Sequence, residues 1–155
     1  MRYLRIAQSY IHQAGARLQD AVDAHREKNH PYAVRLSQEC VELSLKAVLR
    51  GVGLEYPRTH EISYILTQEK ERFPEWFRAE VEYMERSSKL LFAKREPSLH
   101  GDESSILSPD EVMSSGDAED ATKRANRVFG LCSKLVQELE EKTTEKASSR
   151  KSRKD

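Results

Sequence analysis

Apolar residues along this chain recur at steps of three and four, the spacing of one helical face, and the pattern restarts several times between breaks. Leu4, Ala7, Ile11, Ala14, Leu18 and Ala21 predict a first helix reaching to about residue 27, ended by Asn29-His30-Pro31. A second follows over 32–50 with two stripes, Tyr32, Leu36, Cys40, Leu43 and Ala47 on one side and Val41, Leu45, Val48 and Val52 on the other. Two stripes predict burial on two sides. Gly51 and Gly53 close that helix, and Thr59 is placed to cap a third over 60–72 that carries Ile62, Ile65 and Leu66. Pro74 opens a fourth whose Phe77, Val81, Met84, Ser88 and Leu91 keep the three-four step, with Trp76 and Leu90 off the stripe, facing either the core or a partner. Pro97 lacks an amide donor and disfavours helix at Glu96, so this helix is expected to stop near Arg95.

A polar loop over 101–109 and a weak turn at 110–113 lead to a long fifth helix from near Asp117. It bears Ala118, Ala121, Ala125, Val128, Cys132, Leu135 and Leu139 in strict alternation. The expected architecture is all-α, an antiparallel bundle of about five helices over residues 1–142. Beyond it, residues 143–155 lose their apolar positions and gain serine and base, which predicts a disordered basic tail. No repeat of 20–50 residues and no strand alternation is visible.

The 155 residues fit one domain, and 37% apolar against 34% charged residues suit a soluble helical protein. No apolar run has the length of a membrane span, and the first residues do not read as a signal peptide, so the cytoplasm is the expected compartment and no membrane partner is expected. Cys40 and Cys132 fall on apolar stripes and read as reduced core residues. Net charge is zero, but residues 143–155 hold five basic side chains against two acids, which leaves the body slightly acidic. Counting therefore argues against a broad basic face for nucleic acid.

Candidate chemistry centres on Lys94-Arg95-Glu96-Pro97-Ser98-Leu99-His100-Gly101-Asp102-Glu103. Arg95, a permanent cation, and His100, which titrates near neutrality, lie five positions apart and together suit phosphodiester cleavage without a metal or other cofactor. The spacing alone carries little weight, since 15 arginines and five histidines give about 1.5 chance matches, and Arg5 with His12 forms a second. Lys94, Asp102 and His60 are the candidate substrate-binding residues, although His60, expected in the first turn of the third helix, also reads as a structural hydrogen-bonding residue. Glu39 and Glu42 lie three apart beside Lys46 and read as a helix-surface charge network. Glycine-rich phosphate loops, metal-spaced Cys/His clusters and nucleophile elbows are absent from the sequence.

The stretch Tyr32-Ala33-Val34-Arg35-Leu36-Ser37-Gln38-Glu39-Cys40-Val41-Glu42-Leu43-Ser44-Leu45-Lys46-Ala47-Val48-Leu49, with Tyr56-Pro57-Arg58-Thr59-His60 after it, resembles the signature of HEPN domain proteins. Arg95 to His100, the following Gly101-Asp102-Glu103 and the opening of the last helix at Asp117-Ala118 fall in the same order, so the resemblance covers roughly residues 4–139. It implies a helical bundle, commonly a symmetric homodimer, and in active members a metal-independent endoribonuclease with Arg95 and His100 as the catalytic pair across the dimer interface. On that reading His100 moves the 2′-hydroxyl or leaving-group proton, and Arg95 neutralises the phosphate in the transition state.

Two departures stand out. Asp102 lies where members silenced by a nucleotidyltransferase partner commonly carry tyrosine, and Glu96 puts an acid beside the arginine. Three functions follow as expectations: a toxin-antitoxin ribonuclease with a nucleotidyltransferase-type partner, a non-catalytic module that binds a nucleotide, RNA or a partner protein, and an adaptor that uses the Trp76 and Leu90 side.

Overall fold

A computed structural model of the chain describes residues 2–154. Helix α1 (Arg2–Arg26) and helix α2 (His30–Gly51) form a hairpin, and the last helix, α8 (Ser115–Ser152), packs against both. Between them come α3 (Tyr64–Gln68), a 3-10 turn (Lys70–Arg72), α4 (Glu75–Arg78), α5 (Val81–Ala93), α6 (Arg95–His100) and α7 (Pro109–Val112). The described residues hold no strand, only an isolated antiparallel bridge between Asp102 and Leu107. None of their helices is long and apolar enough to cross a membrane.

The hairpin turn is tight because α1 ends with Lys28 in the left-handed region (φ 64°). The Asn29 amide reaches back to the Ala24 carbonyl at 2.8 Å and the Lys28 amide to His25 at 3.0 Å, which satisfies carbonyls that the helix end would orphan. Helix α2 is the central column: Leu36, Cys40, Val41, Leu45, Ala47 and Val48 of its two stripes are buried, Val34 and Leu49 between them are buried as well, and Tyr32 at the start of one stripe is exposed. Alanines line its long neighbours, Ala7, Ala14 and Ala21 on α1 and Ala118, Ala121 and Ala125 on α8, and these small side chains let three long helices approach closely. Phe77, Met84 and Leu91 close the other side of the core. Cys40 and Cys132 are buried and free, and burial pushes the Cys40 thiol up to about 12.

Several boundaries differ from those read in the pattern. The third helix is shorter than 60–72 and is not capped by Thr59, whose hydroxyl donates to the Glu61 carbonyl at 3.3 Å. Instead the Glu61 carboxylate accepts the Ser63 amide at 3.0 Å and the Ser88 hydroxyl at 3.0 Å, so an acid two residues beyond Thr59 ties α3 to α5. The fourth helix is divided into α4 and α5, and α5 ends at Ala93, close to the expected stop near Arg95. Pro97 does not end the helical path. The Lys94 amide turns to the Leu91 carbonyl at 3.1 Å, and a new turn starts at Arg95 in which Pro97, in the first turn, has no amide bond to lose.

Helix α8 begins earlier than Asp117, at a capping box in which Ser114 and Asp117 satisfy each other's backbone amides. It also continues through the segment expected to be disordered, with exposed side chains, as far as Ser152. Glu, Lys and Ala in that segment favour helix, neither Gly nor Pro interrupts it, and the Thr143 hydroxyl bonds back to the Leu139 carbonyl at 2.9 Å. Trp76 is not an open partner surface. Its Nε1–H donates to Glu138 at 3.0 Å and Lys134 lies 4.2 Å from a ring centroid, so it belongs to the α4–α8 seam.

Candidate functional site

Helix α6 carries Arg95 at its first position and His100 at its last. Five residues at 100° each turn the two side chains about 140° apart, so they leave the helix on different faces. Arg95 turns toward α2, where its Nη1 donates to Gln38 Oε1 at 2.6 Å. That amide is only 3% exposed, and the half-buried guanidinium completes its hydrogen bonding. His100 is exposed and lines a hollow of about 490 Å³ with Glu96, Pro97, Gly101, Asp102, Glu103 and Val112. The nearest acid is Glu103, with Oε1 at 4.0 Å from His100 Nδ1. Three carboxylates and no lysine or arginine line this hollow, a field that repels a phosphodiester.

Lys94 and Asp102 have local partners. Lys94 Nζ lies 3.0 Å from Asp117 Oδ1 and fastens the α5–α6 joint to α8. The Asp117 carboxyl is held below its usual value, first by the Ser114 amide that it caps, and then by Lys94 against the opposing effect of burial. Asp102 Oδ1 accepts the Ser105 amide at 3.2 Å, and its backbone exchanges two 2.9 Å bonds with Leu107. This closes the loop after α6. Gly101 (φ 69°) makes the closure possible, since a Cβ there would lie 2.7 Å from the Ser108 carbonyl carbon.

His60 sits elsewhere, in the loop before α3 and not in a helical turn. Its Nδ1 is 2.8 Å from Glu42 Oε1 on α2. Glu42 is also 3.7 Å from Lys46 Nζ and accepts a long contact from Gln38 Nε2 at 3.5 Å. Glu39, grouped with Glu42 by spacing, turns away and lies 3.9 Å from Arg35. The polar stripe of α2 is therefore Gln38, Glu42, Lys46 and Arg50, four residues apart, running from the Arg95 contact to the far end of the helix.

At that far end the loop folds back over the stripe. Tyr56 receives Arg50 at 4.7 Å and Lys46 at 5.4 Å from its ring centroid. Burial, the largest cause, pushes the Tyr56 hydroxyl up to about 12, and neighbouring Tyr10 adds to the shift while Arg50 opposes it. The Arg50 Nε and the Tyr56 hydroxyl are both buried without a hydrogen-bond partner of good geometry. Tyr10, Glu42, Leu43, Lys46, Arg50, Tyr56, Arg58, Thr59 and His60 enclose a hollow of about 550 Å³. Arg50 and Arg58 are in no ion pair among the described residues. Glu42, and Glu55 near Arg50, are the opposing acids. Cations thus exceed anions here, the reverse of the His100 hollow.

Of the residues around this hollow, only His60 is a site candidate in the sequence; Arg50, Tyr56, Arg58 and Tyr10 have no site role there, although Tyr56 and Arg58 fall in the family-like stretch that ends at His60. The signal for Arg50 was present as the four-residue stripe on α2. The other three are placed by the return of the loop and by the packing of α1, which no local pattern reveals.

Comparison with known proteins accords with this architecture. The family model described as HEPN domain matches residues 7–139. No curated protein matches the chain. The crystal structure of an archaeal HEPN homologue superposes with a TM-score of 0.66 at 25% identity, covering 84% of this chain and 97% of the homologue. The crystal structure of a Thermus thermophilus protein gives a TM-score of 0.66 at 19% identity, with 83% and 97% covered, which speaks for the fold alone. With nearly all of its bundle matched, the chain belongs to the HEPN domain family.

Proposed function

We propose that this HEPN protein is a nucleotide-binding module whose ligand occupies the hollow between α2 and the loop before α3. The observation that carries the reading is the separation of charge between the two hollows: Lys46, Arg50 and Arg58 gather at one, while three acids surround His100 at the other. A phosphate group is attracted to the first and repelled from the second. The volume, about 550 Å³, lies in the range of small-molecule sites, and Tyr10, Leu43 and Tyr56 supply apolar wall for a ring. A slightly acidic body favours a compact ligand over a long RNA, which would need phosphate contacts along an extended face.

Arg95, on this reading, is structural. Ribonuclease chemistry by Arg95 and His100 would require one phosphate to meet both side chains, which leave α6 on different faces, so it would need a second copy of the chain to bring them together.

Calorimetric titration of the full chain with adenosine, AMP and ADP tests the proposal. The phosphorylated ligands should bind and adenosine should not. Lys46→Ala and Arg58→Ala should each weaken binding about tenfold by removing a charged contact, while Arg95→Ala should leave it unchanged. Incubation with total RNA in EDTA supplies the opposing outcome: cleavage to cyclic phosphate ends by wild type but not by His100→Ala would replace this reading with the ribonuclease.

A further inference from the structure

The hollow holds one group that can change charge near neutral pH, and the fold fixes which way it faces. His60 reaches it from the loop while its Nδ1 is occupied by Glu42 Oε1 at 2.8 Å. That contact leaves Nε2 as the ring nitrogen available to a ligand, in the same hollow as Lys46, Arg50 and Arg58. The carboxylate is held in turn: Lys46 lies 3.7 Å from its other oxygen, and Gln38 approaches from one turn back. A carboxylate behind an imidazole fixes its orientation and favours the imidazolium, and a phosphate in front favours it again.

We infer that His60, oriented by Glu42, is the residue that selects a terminal phosphate in this hollow, and that the ligand binds to its protonated form. This rests on the nucleotide reading above and adds to it both a ligand class, a nucleoside monophosphate whose dianion meets the imidazolium, and a proton taken up from solvent on binding. The charged and titratable groups facing His60 all bear on the sign. Glu42 from α2 sets a negative charge against the ring, while Lys46 and Arg50 from the same helix and Arg58 from the loop bring positive charge to the hollow. Tyr10 from α1 also lines the hollow, and Tyr56, whose hydroxyl is pushed up to about 12, stays neutral through this range. In the empty hollow the ring shares its surroundings with three fixed cations. A bound dianion offsets them, so the proton is favoured in the complex more than in the free protein. Affinity therefore rises as pH falls until His60 is protonated in both states.

AMP is the probe. Titrations at pH 7 in two buffers of different ionisation enthalpy should give the uptake of a substantial fraction of one proton per AMP bound, and wild-type affinity should be about fivefold or more higher at pH 6 than at pH 8. His60→Gln should lose both the uptake and that part of the pH dependence, and what remains reports the titration of AMP itself. Glu42→Gln, which keeps a hydrogen-bonding oxygen toward His60 but not the charge, should reduce the uptake; melting curves of both variants check their folds. AMP binding with the same proton uptake and pH profile in wild type and His60→Gln overturns the inference and leaves the nucleotide reading in place. Failure of AMP to bind wild type while ADP binds overturns the inference alone, and failure of AMP and ADP alike overturns both.

Discussion

Removing the guanidinium of Arg95 is expected to cost stability and not nucleotide affinity. In Arg95→Ala the Gln38 carbonyl oxygen, on a side chain 3% exposed, loses a charged donor at 2.6 Å. A hydrogen bond to a charged group contributes about 1.5–3 kcal/mol, and water entering the vacated half-buried space recovers part of it, so a loss of about 1.5–2 kcal/mol is expected. For a domain of this size that lowers the melting temperature by about 3–8 °C. Gln38→Ala removes the same bond from the other side and adds a small cavity in the seam between α2 and α6. The double variant should cost less than the sum of the singles, with a coupling of about 1–2 kcal/mol. Urea denaturation of the four proteins measures each quantity. Singles within about 0.3 kcal/mol of wild type, or a coupling near zero, would refute the structural role given to Arg95.

Three further outcomes follow from local geometry. Lys28→Gly relieves a left-handed backbone position that costs a side chain about 1 kcal/mol, and the melting temperature should rise by about 2–4 °C. Gly101→Ala should destabilise by about 2 kcal/mol or more, because the new Cβ meets the Ser108 and Pro109 backbone and must open the loop; loss of amide exchange protection at Asp102 and Leu107 would locate the damage. The Asp117 carboxyl titrates below its unfolded value, so its contribution is fully present above about pH 4 and is lost as pH falls through the folded value. Asp117→Asn should therefore be less stable than wild type at pH 7, and the difference should shrink toward pH 2 in urea melts.

The long helices were legible because burial on one or two faces writes itself into periodicity: Ala7, Ala14 and Ala21 of α1, Val41, Ala47 and Val48 of α2 and Ala118, Ala121, Ala125 and Val128 of α8, all on the three-four stripes, are buried. What periodicity could not settle was what happens at breaks. Pro97 marks a helix end by its missing donor, yet that donor is surplus in a first turn, and the chain needed only a tightened turn at Lys94 to start again. Thr59 has the chemistry of a cap, but the carboxylate of Glu61 reaches the Ser63 amide and also the Ser88 hydroxyl on α5, a tertiary tie that no single-turn rule contains. The run after Lys142 lacks apolar residues and so predicts no packing. Helix there follows from propensity and from continuation of a helix already nucleated in the bundle.

The same division holds for the site. Residues five apart on one short helix look like a pair in a sequence, but helical geometry sends Arg95 to Gln38 and His100 to a ring of acids. Residues four apart look like surface charge, yet Glu42, Lys46 and Arg50 become a wall once Tyr56, Arg58 and His60 are laid across them by a loop that starts only after α2 ends. Eighteen residues separate Glu42 from His60, so the contact that orients the imidazole exists only in the folded chain. That contact also joins the two regions, since Glu42 lies next to Gln38, the partner of Arg95, on one face of one helix. An arginine that anchors α6 and a histidine that lines the cationic hollow are thus set by the same stripe. Substituting Arg95 is accordingly expected to act on stability, and substituting His60, on the proposed nucleotide reading, is expected to act on binding.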